Sequence, residues 1–340
     1  MTAAEAARAP RPASEDAFQR LMALCADDLE RVNALIADRM ASEHAPRIPE
    51  VTRHLVEAGG KRLRPLLTLA AARLCGCKGD AHVKLAATVE FIHTATLLHD
   101  DVVDESAQRR GRPTANLLWD NKSSVLTGDY LFARAFQLMV ETDNLRVLGI
   151  LSDAAATIAE GEVMQLATAG NLATGEAAYL RMIHGKTAAL FAAATEVGAV
   201  IAGEPEPRID ALRDYGRTLG MAFQIVDDLL DYGGAAASMG KDVGDDFREG
   251  KVTLPVLLAW EAGDAEARAF WRRVIEKRDQ REPDLAEALA RMTETGALAE
   301  TERRARTYCA EARDALAAFP PSPAREALDG IAEFVVARLS

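Results

Sequence analysis

The sequence predicts an all-α fold in a single domain. Hydrophobic residues make up 49% of the 340 residues but aromatic residues only 5%, and alanine and leucine dominate, which favours close helix packing. No segment shows the alternation of Val, Ile and Thr between turn residues that is typical of strands. No internal repeat or low-complexity linker divides the chain. A chain of this length can bury a sizeable core.

Apolar residues at helical spacing predict the helices of the N-terminal half. The first covers residues 16–40, and two prolines separate it from a short helix over residues 50–58. Two glycines end that helix, and a proline suits the first turn of the next one, over residues 65–74. A long helix from Ala81 then leads into a cluster of acidic residues.

The C-terminal half continues as helices around one long loop. Residues 233–250 lie between two helices, and loops of that length are usually functional, for example as lids. Residues 254–340 predict amphipathic helices interrupted by prolines, and we assign that segment to packing alone. The helices that precede the loop are predicted over residues 121–142, 145–168, 174–201 and 208–231.

Residues 1–14 predict a disordered tail ahead of a helical domain over residues 15–340. The tail is rich in Ala, Arg and Pro and lacks an apolar signal core, and acidic Glu5 makes a transit peptide the weaker alternative. The longest apolar stretch, residues 188–202, is broken by Glu196 and falls short of the roughly 18 apolar residues of a membrane span. We therefore expect no transmembrane segment.

The charge and the cysteines limit the possible partners and compartment. A net charge of −12 and a pI near 5.1 argue against a nucleic-acid surface and are compatible with a protein that holds divalent cations. The four cysteines do not form a disulfide framework in a chain this long. The pair at positions 75 and 77 has no second Cys or His pair at metal-binding spacing. A reduced, cytoplasmic location is the simpler interpretation.

Two acidic triplets with the same spacing are the main chemical feature of the sequence. Each places carboxylates at i, i+1 and i+4 after an apolar stretch. On a helix, i and i+4 share a face, so two acids of each triplet can aim at one point. Near a helix C-terminus the acids are disfavoured, and they raise one another's pKa unless a cation intervenes. The triplets are Asp100, Asp101 and Asp104, and Asp227, Asp228 and Asp231.

Carboxylates in this arrangement suit Mg²⁺, which takes one or two carboxylates together with waters and substrate phosphates. For one triplet alone, a solvated acidic helix end is the alternative. The repetition at the ends of two apolar helices favours a site for magnesium and a diphosphate.

Basic residues accompany the acidic triplets. The segment 59–65 carries three cations at a helix N-terminus, where they form either an anion cradle or a solvated basic turn. The segment 108–113 carries three arginines, which either pair with the acids or bind phosphate oxygens. The second alternative is favoured because these cations outnumber the acids that their own turn could pair.

Other polar residues interrupt apolar helices. Gly185-Lys186-Thr187 places a cation and a hydroxyl where a kink is expected, and Gln224 lies three residues before Asp227 on the same helical face. His99, beside the first triplet, is expected to support or pack rather than to act as a base.

These motifs resemble those of the trans-prenyl diphosphate synthases, the polyprenyl synthetase family. The resemblance covers nearly the whole chain from about Phe18, and the segments occur in the family's order: GGKRLRP, DDVVDESAQRRGRPT, GKT, FQIVDDLLD and GDDFREGKVTLP. It implies an antiparallel helix bundle of the isoprenoid synthase type around a central apolar cavity, and a homodimer. Asp242, where relatives often have Asn, is a departure that puts nothing essential in doubt.

The resemblance also implies a reaction, in which an allylic diphosphate is joined head to tail to isopentenyl diphosphate with Mg²⁺ as cofactor. Three Mg²⁺ ions would be held by Asp100, Asp104 and Asp227, with Asp101, Asp228 and Asp231 in support. The allylic diphosphate would contact Arg109, Lys186 and Lys241. The diphosphate of isopentenyl diphosphate would contact Lys61, Arg64, His93 and Arg110. The reaction centre would be lined by Thr187 and Gln224.

Product length should depend on how far the growing chain can extend beside the helix that precedes Asp100. Ala95 and Thr96 are small where short-chain synthases have aromatic residues, and with the DDFREGK segment they resemble the long-chain, octaprenyl-type branch that serves quinone side chains. Ordinary core residues are the alternative for the deeper stops, which are Phe91, Ile92, Phe132, Phe136 and Met139.

Three alternatives remain at this point. A geranylgeranyl-type synthase would differ in channel depth alone. A terpene cyclase needs no second diphosphate pocket, and a non-catalytic subunit of a two-protein synthase would be expected to lack one of the triplets. A peripheral membrane contact for product release is a further expectation.

Overall fold

The structure, a computed structural model, describes residues 13–42, 44–57, 59–233 and 244–339. Within those residues nearly all regular structure is helical, which confirms the predicted all-α fold. The exception is an antiparallel pair of two-residue strands, β1 (Gln108–Arg109) and β2 (Arg112–Pro113), just after the first acidic triplet. Most of the predicted tail and Lys241 lie outside the described residues.

The helices follow the predicted order. The helix predicted over residues 16–40 is two helices that meet at Cys25, whose buried side chain continues the apolar stripe across the break. The bounds are α1 Ala13–Leu24, α2 Ala26–Met40, α3 Arg47–Glu57, α4 Leu63–Leu74, α5 Ala81–Val103, α6 Ala115–Leu118, α7 Asn121–Val140, α8 Leu145–Thr168, α9 Gly175–Ile183, α10 Ala189–Ala202, α11 Glu206–Leu230, α12 Asp245–Arg248, α13 Leu254–Ala262, α14 Ala265–Trp271, α15 Asp284–Glu294, α16 Ala297–Ala315 and α17 Pro323–Ala337.

Helices α5 and α10 form the centre of the main hydrophobic core. Helix α5 packs against α7, α4 and α2, and α10 packs against α11, α4 and α8. Every residue of α10 from Ala189 to Ala199 is buried, as expected of a helix that is apolar on all sides. The stretch Leu172–Ala202 is long and apolar enough to cross a membrane, but 83% of its most apolar window is buried among other helices. It is therefore a core element of this fold.

A second, smaller core lies next to the end of α11. Trp271 is fully buried in this core, together with Tyr232 and Phe247. Tyr232 directly follows the second acidic triplet, and Phe247 lies in α12. The chain is therefore packed into this core at Tyr232, before residues 234–243, and again at Phe247, after them.

Side-chain caps fix the starts of two helices that carry site residues. Asn144 accepts hydrogen bonds from the backbone N–H groups of Arg146 and Val147 at the start of α8. Ser322 accepts one from Arg325 at the start of α17, where Pro323 occupies the first turn. The caps define where α8 and α17 begin.

Candidate active site

Both acidic triplets lie where buried helices end. Asp100 and Asp101 are in the last turn of α5, and Asp104 follows its last residue. The second triplet repeats this arrangement in the last turn of α11, with Asp231 directly after the helix. The placement confirms the expectation that the acids stand at helix C-termini, where the helix dipole adds to their mutual repulsion.

In the first triplet, Asp101 is buried in an ion pair and Asp100 has a strongly raised pKa. Asp101 is fully buried, and its Oδ1 accepts a hydrogen bond from Arg109 Nε at 2.7 Å; Arg109 Nη2 lies 2.7 Å from the same oxygen, in an ion pair. Burial raises the pKa of Asp100 to about 7; the nearby Glu162 carboxylate adds to the shift, and Lys186 opposes it. Arg109 therefore pairs with an acid of the cluster, and Asp100 is an acid for which burial outweighs the nearby positive charges of Lys186 and Arg109.

In the second triplet the three acids have different partners. Asp227 accepts a hydrogen bond from Arg338 Nη2 at 3.2 Å. Asp231 accepts from the backbone N–H groups of Asp245 and Asp246, and so caps α12. Asp228 accepts from the Tyr179 hydroxyl at 2.7 Å and from Gln224 Nε2 at 2.8 Å. Burial, followed by the Asp246 carboxylate, raises the pKa of Asp228 to about 7.

The residues between α9 and α10 interact with groups at both triplets. They form a single π-helical turn, His184–Ala188, as often occurs at functional sites. In it Lys186 Nζ donates to Glu162 at 3.2 Å and to Gln165 at 2.9 Å, while the Thr187 hydroxyl donates to Gln224 at 2.7 Å. Lys186 also acts electrostatically on Asp100. The two triplets therefore border one polar network.

A glycine on α8 makes this turn possible. A Cβ added to Gly161 would lie 2.7 Å from the backbone nitrogen of Lys186 and 2.9 Å from the carbonyl carbon of Gly185. Contacts that short do not occur, so only glycine lets α8 approach the turn closely enough for Glu162 and Gln165 to reach Lys186.

We expect Gly161→Ala to displace the π-helical turn, to destabilise the protein by about 1–3 kcal/mol through overpacking, and to lower kcat. Gly149→Ala, on the same helix with no atom near the added methyl, should instead be neutral or stabilising, by up to about 1 kcal/mol. Thermal unfolding and turnover of both variants test this. Equal behaviour of the two would contradict the assigned role of Gly161.

A second group of basic residues surrounds a cleft between the loop before α4 and the middle of α5. Arg64 Nη1 donates to His93 Nε2 at 3.1 Å, and its guanidinium lies 4.7 Å from the centre of the Phe191 ring. Burial lowers the pKa of Arg64 to about 10. Burial and the Arg64 charge hold the pKa of His93 well below its usual range, so this histidine is neutral at pH 7.

The same cleft contains Arg110 and an ion pair between Arg62 and Glu90. Lys61, on the preceding loop, lies with Nζ 4.5 Å from the centre of the Phe334 ring of α17. The cleft is lined by Leu55, Gly59, Arg62, Glu90, His93, Thr94, Leu97 and Arg110. Residues distant in sequence are thus brought together around one basic cleft, whose lining does not include the acidic triplets.

The residues considered for product length differ in their placement. Ala95 is fully buried on α5, as are Phe91 and Ile92 nearer its N-terminus. Thr96 is partly buried and donates to the His93 carbonyl. These four residues belong to the α5 segment that precedes Asp100.

On α7, Phe132 is partly buried and Met139 is buried, whereas Phe136 is 43% exposed on the outer face of the helix. Within one chain, Phe136 therefore does not line a buried cavity that could limit product length. His99 points toward α7, where it stacks on Phe132 and contacts the Val125 carbonyl, in agreement with a packing role.

Sequence reasoning missed four residues of this site: Glu162, Gln165, Tyr179 and Arg338. Glu162 and Gln165 had a usable signal, because they are polar, three residues apart and on one face of a largely apolar helix. Arg338 had none, since it follows the last helix of a segment assigned to packing alone. That assignment is wrong at this residue, which contacts Asp227.

The fold and this site together define an isoprenoid synthase: an all-α domain in which the buried helices α5 and α11 end in acidic triplets that border one polar network. The chain matches the polyprenyl synthetase family over residues 45–292 and belongs to that family.

Similar proteins agree with the assignment. The chain is 45% identical to octaprenyl diphosphate synthase of Escherichia coli (strain K12), over 94% of this chain and 99% of that protein. A crystal structure of a decaprenyl diphosphate synthase from Rhodobacter capsulatus superposes with a TM-score of 0.92 at 65% identity, over 95% of this chain and 99% of that one. A polyprenyl synthase from Caulobacter crescentus CB15, crystallised with calcium and isoprenyl diphosphate, gives a TM-score of 0.91 at 52% identity, over 97% and 100%.

Proposed function

We propose that this long-chain trans-prenyltransferase extends an allylic diphosphate with isopentenyl diphosphate to an octaprenyl-type polyprenyl diphosphate that serves quinone side chains. The observation that carries the proposal is that one turn of the chain serves both triplets: Thr187 reaches Asp228 through Gln224 by hydrogen bonds, and Lys186 acts electrostatically on Asp100. The separate basic cleft supplies a second diphosphate site, which a prenyl synthase requires and a terpene cyclase does not.

Magnesium is the proposed cofactor. Within the described residues no three His, Cys, Asp or Glu side chains lie close enough to hold a metal ion by themselves. Mg²⁺ completes its coordination with waters and substrate phosphates. The donor set fits: Asp101 Oδ2 and Glu162 Oε1 are buried, and neither has a hydrogen-bond partner among the described residues.

The proposed metal-holding residues are Asp100, Asp104 and Asp227 for three ions, with Asp101, Asp228 and Asp231 in support. When bound, the ions supply positive charge to the pyrophosphate leaving group. All of these donors are carboxylate oxygens, which are hard ligands and suit a hard cation such as Mg²⁺.

The basic residues divide between two diphosphates. Arg109, Lys186 and Lys241 are proposed to bind the allylic diphosphate beside the acids, while Lys61, Arg64, His93 and Arg110 bind that of isopentenyl diphosphate. A neutral His93 donates a hydrogen bond to phosphate without adding charge, while Arg64 remains a cation at pH 7 even with its lowered pKa.

The chemistry needs little from protein bases. The allylic C–O bond breaks with its electron pair on the departing pyrophosphate, the allylic carbon bonds to the terminal alkene carbon of isopentenyl diphosphate, and a proton is then lost to the pyrophosphate. Thr187 and Gln224 line this centre. Basic side chains stabilise the leaving group, and the apolar helices keep water from the carbocation.

Product analysis tests the length of the chain. A 20-residue helix spans about 30 Å, so several isoprene units fit beside α5, and we expect about seven to ten in the product. The protein alone, given labelled isopentenyl diphosphate and an allylic primer, should yield products of that length by chromatography. An end product of fifteen or twenty carbons would contradict the long-chain prediction, and twenty carbons would indicate the geranylgeranyl-type alternative. No product without a second protein would indicate a subunit of a heteromeric synthase.

A homodimer is proposed on the basis of exposed apolar residues along α7 and α8. Large apolar patches on a soluble protein usually mark an interface. These residues lie on α7, which packs against α5, and at the start and end of α8, which packs against α10. They are Val125, Leu126, Phe136, Val140, Leu145, Val163 and Leu166.

We expect light scattering to give a dimer mass for the wild type and a monomer mass for Leu126→Glu, whose parent side chain is 66% exposed. The variant should keep its helix content by circular dichroism. A wild-type monomer, or an unchanged dimer in the variant, would contradict this interface. Cytoplasmic location and a peripheral membrane contact during product release remain part of the proposal.

A further inference from the structure

Four side chains from three segments form one continuous hydrogen-bonded chain. Tyr179 of α9 donates its hydroxyl to Asp228 Oδ2 at 2.7 Å, and Gln224 donates Nε2 to Asp228 Oδ1 at 2.8 Å. Gln224 Oε1 in turn accepts from the Thr187 hydroxyl at 2.7 Å. Tyr179 is 1% exposed, so the chain begins in the core and ends at the proposed reaction centre.

This chain fixes the orientation of every group in it. Because both oxygens of Asp228 accept hydrogen bonds, the NH₂ group of Gln224 must face Asp228 and its carbonyl oxygen must face Thr187. The Thr187 proton is then committed to Gln224, which leaves the lone pairs of the Thr187 oxygen for other contacts. An amide without the Asp228 anchor could rotate and present the opposite dipole.

We propose that Tyr179 is a positioning residue, which acts through Asp228 to hold Gln224 and Thr187 in one orientation. Asp228 accordingly anchors this chain rather than binding magnesium directly. The inference rests on the proposed place of Gln224 and Thr187 at the reaction centre. Dipoles that are oriented before reaction lower the barrier because they need no reorganisation when charge develops.

Tyr179→Phe tests the first part, because it keeps the ring and removes the hydroxyl. We expect kcat to fall about tenfold, with KM for isopentenyl diphosphate changed less than about twofold, since the lost hydrogen bond is to a charged group. In a Gln224→Ala background the same substitution should have no further effect on kcat.

Tyr215→Phe is the matched control. Tyr215 is also fully buried, and its hydroxyl donates to the Leu328 carbonyl at 2.7 Å, away from the acids. Tyr215→Phe should lower the melting temperature about as much as Tyr179→Phe does but leave kcat unchanged. Turnover by the wild type and this control reports on the proposed function itself. If Tyr179→Phe were as active as the wild type and Tyr215→Phe, the positioning role of Tyr179 would be overturned, while the proposed function would stand.

Asp228→Asn tests the second part. The amide can accept from Gln224 while donating to the oxygen of Tyr179, so the chain keeps its shape as the carboxylate charge is removed. We expect the Mg²⁺ concentration for half-maximal activity to change less than about twofold, whereas Asp227→Asn should raise it about tenfold or more. An equal rise in both variants would show that Asp228 binds the metal, and would overturn its role as an anchor.

Discussion

Asp227→Ala is expected to lower kcat about 10³-fold while the protein stays folded. Removing one preorganised group that stabilises a developing negative charge typically reduces the rate by about 10²–10³-fold, and Asp227 is proposed to hold the cation that meets that charge. Asp100→Ala should behave in the same way on the opposite side of the site. The measurement is incorporation of labelled isopentenyl diphosphate at saturating substrate and Mg²⁺.

The control is Asp214→Ala, on the same helix. Asp214 is 53% exposed and pairs with Arg217 within one turn, so its removal should leave turnover unchanged and stability within about 1 kcal/mol. Asp227→Ala also removes the ion-pair partner of Arg338, whose side chain is only 14% exposed, so some loss of stability is expected and circular dichroism must show that the variant is still folded. Wild-type rates from either active-site variant would overturn the assignment of the triplets.

The sequence predicts the acidic site well because its signals are local. The spacing i, i+1, i+4 places Asp100 and Asp104 one turn apart on any helix, and the apolar residues before them require burial of that helix. Likewise Gly185 within an apolar stretch predicts an interruption, which the structure shows as a π-helical turn.

The missed features depend on tertiary contacts that no local pattern encodes. Arg338 reaches Asp227 across 111 positions of sequence. Cys25 continues the apolar stripe of α1 into α2, so periodicity cannot reveal the break there. Gly161 matters because of the backbone of another segment, and an isolated glycine in a helical pattern gives no indication of its neighbour.

Asp100 and Asp228 should each lower the stability of the metal-free protein as the pH rises from about 4 to 7, because both carboxyls resist ionisation in the folded protein. Burial raises the pKa of Asp100 from its ordinary value of 3.8 to about 7. Between these values the unfolded chain has released the proton and the folded chain retains it, so rising pH favours unfolding. Asp228 acts in the same direction, with its pKa also raised to about 7.

Asp100→Asn removes this penalty. In EDTA at pH 8 we expect the variant to be more stable than the wild type by roughly 2 kcal/mol, a value reduced from the full shift because Asp100 is partly exposed. At pH 4 the difference should disappear, since the carboxyl is then protonated in the folded protein. Urea unfolding at the two pH values measures both, and exposed Asp214→Asn should change neither.

Magnesium should make the wild type more stable than Asp100→Asn at pH 8, the reverse of the order expected in EDTA. With Mg²⁺ and inorganic pyrophosphate present, the wild type gains the free energy of binding and Asp100→Asn gains less, because its amide is a weaker ligand for a hard cation. The same carboxylate would then destabilise the empty fold and stabilise the loaded one. A variant that is less stable than the wild type in EDTA at pH 8 would contradict this account of why the acids stand together.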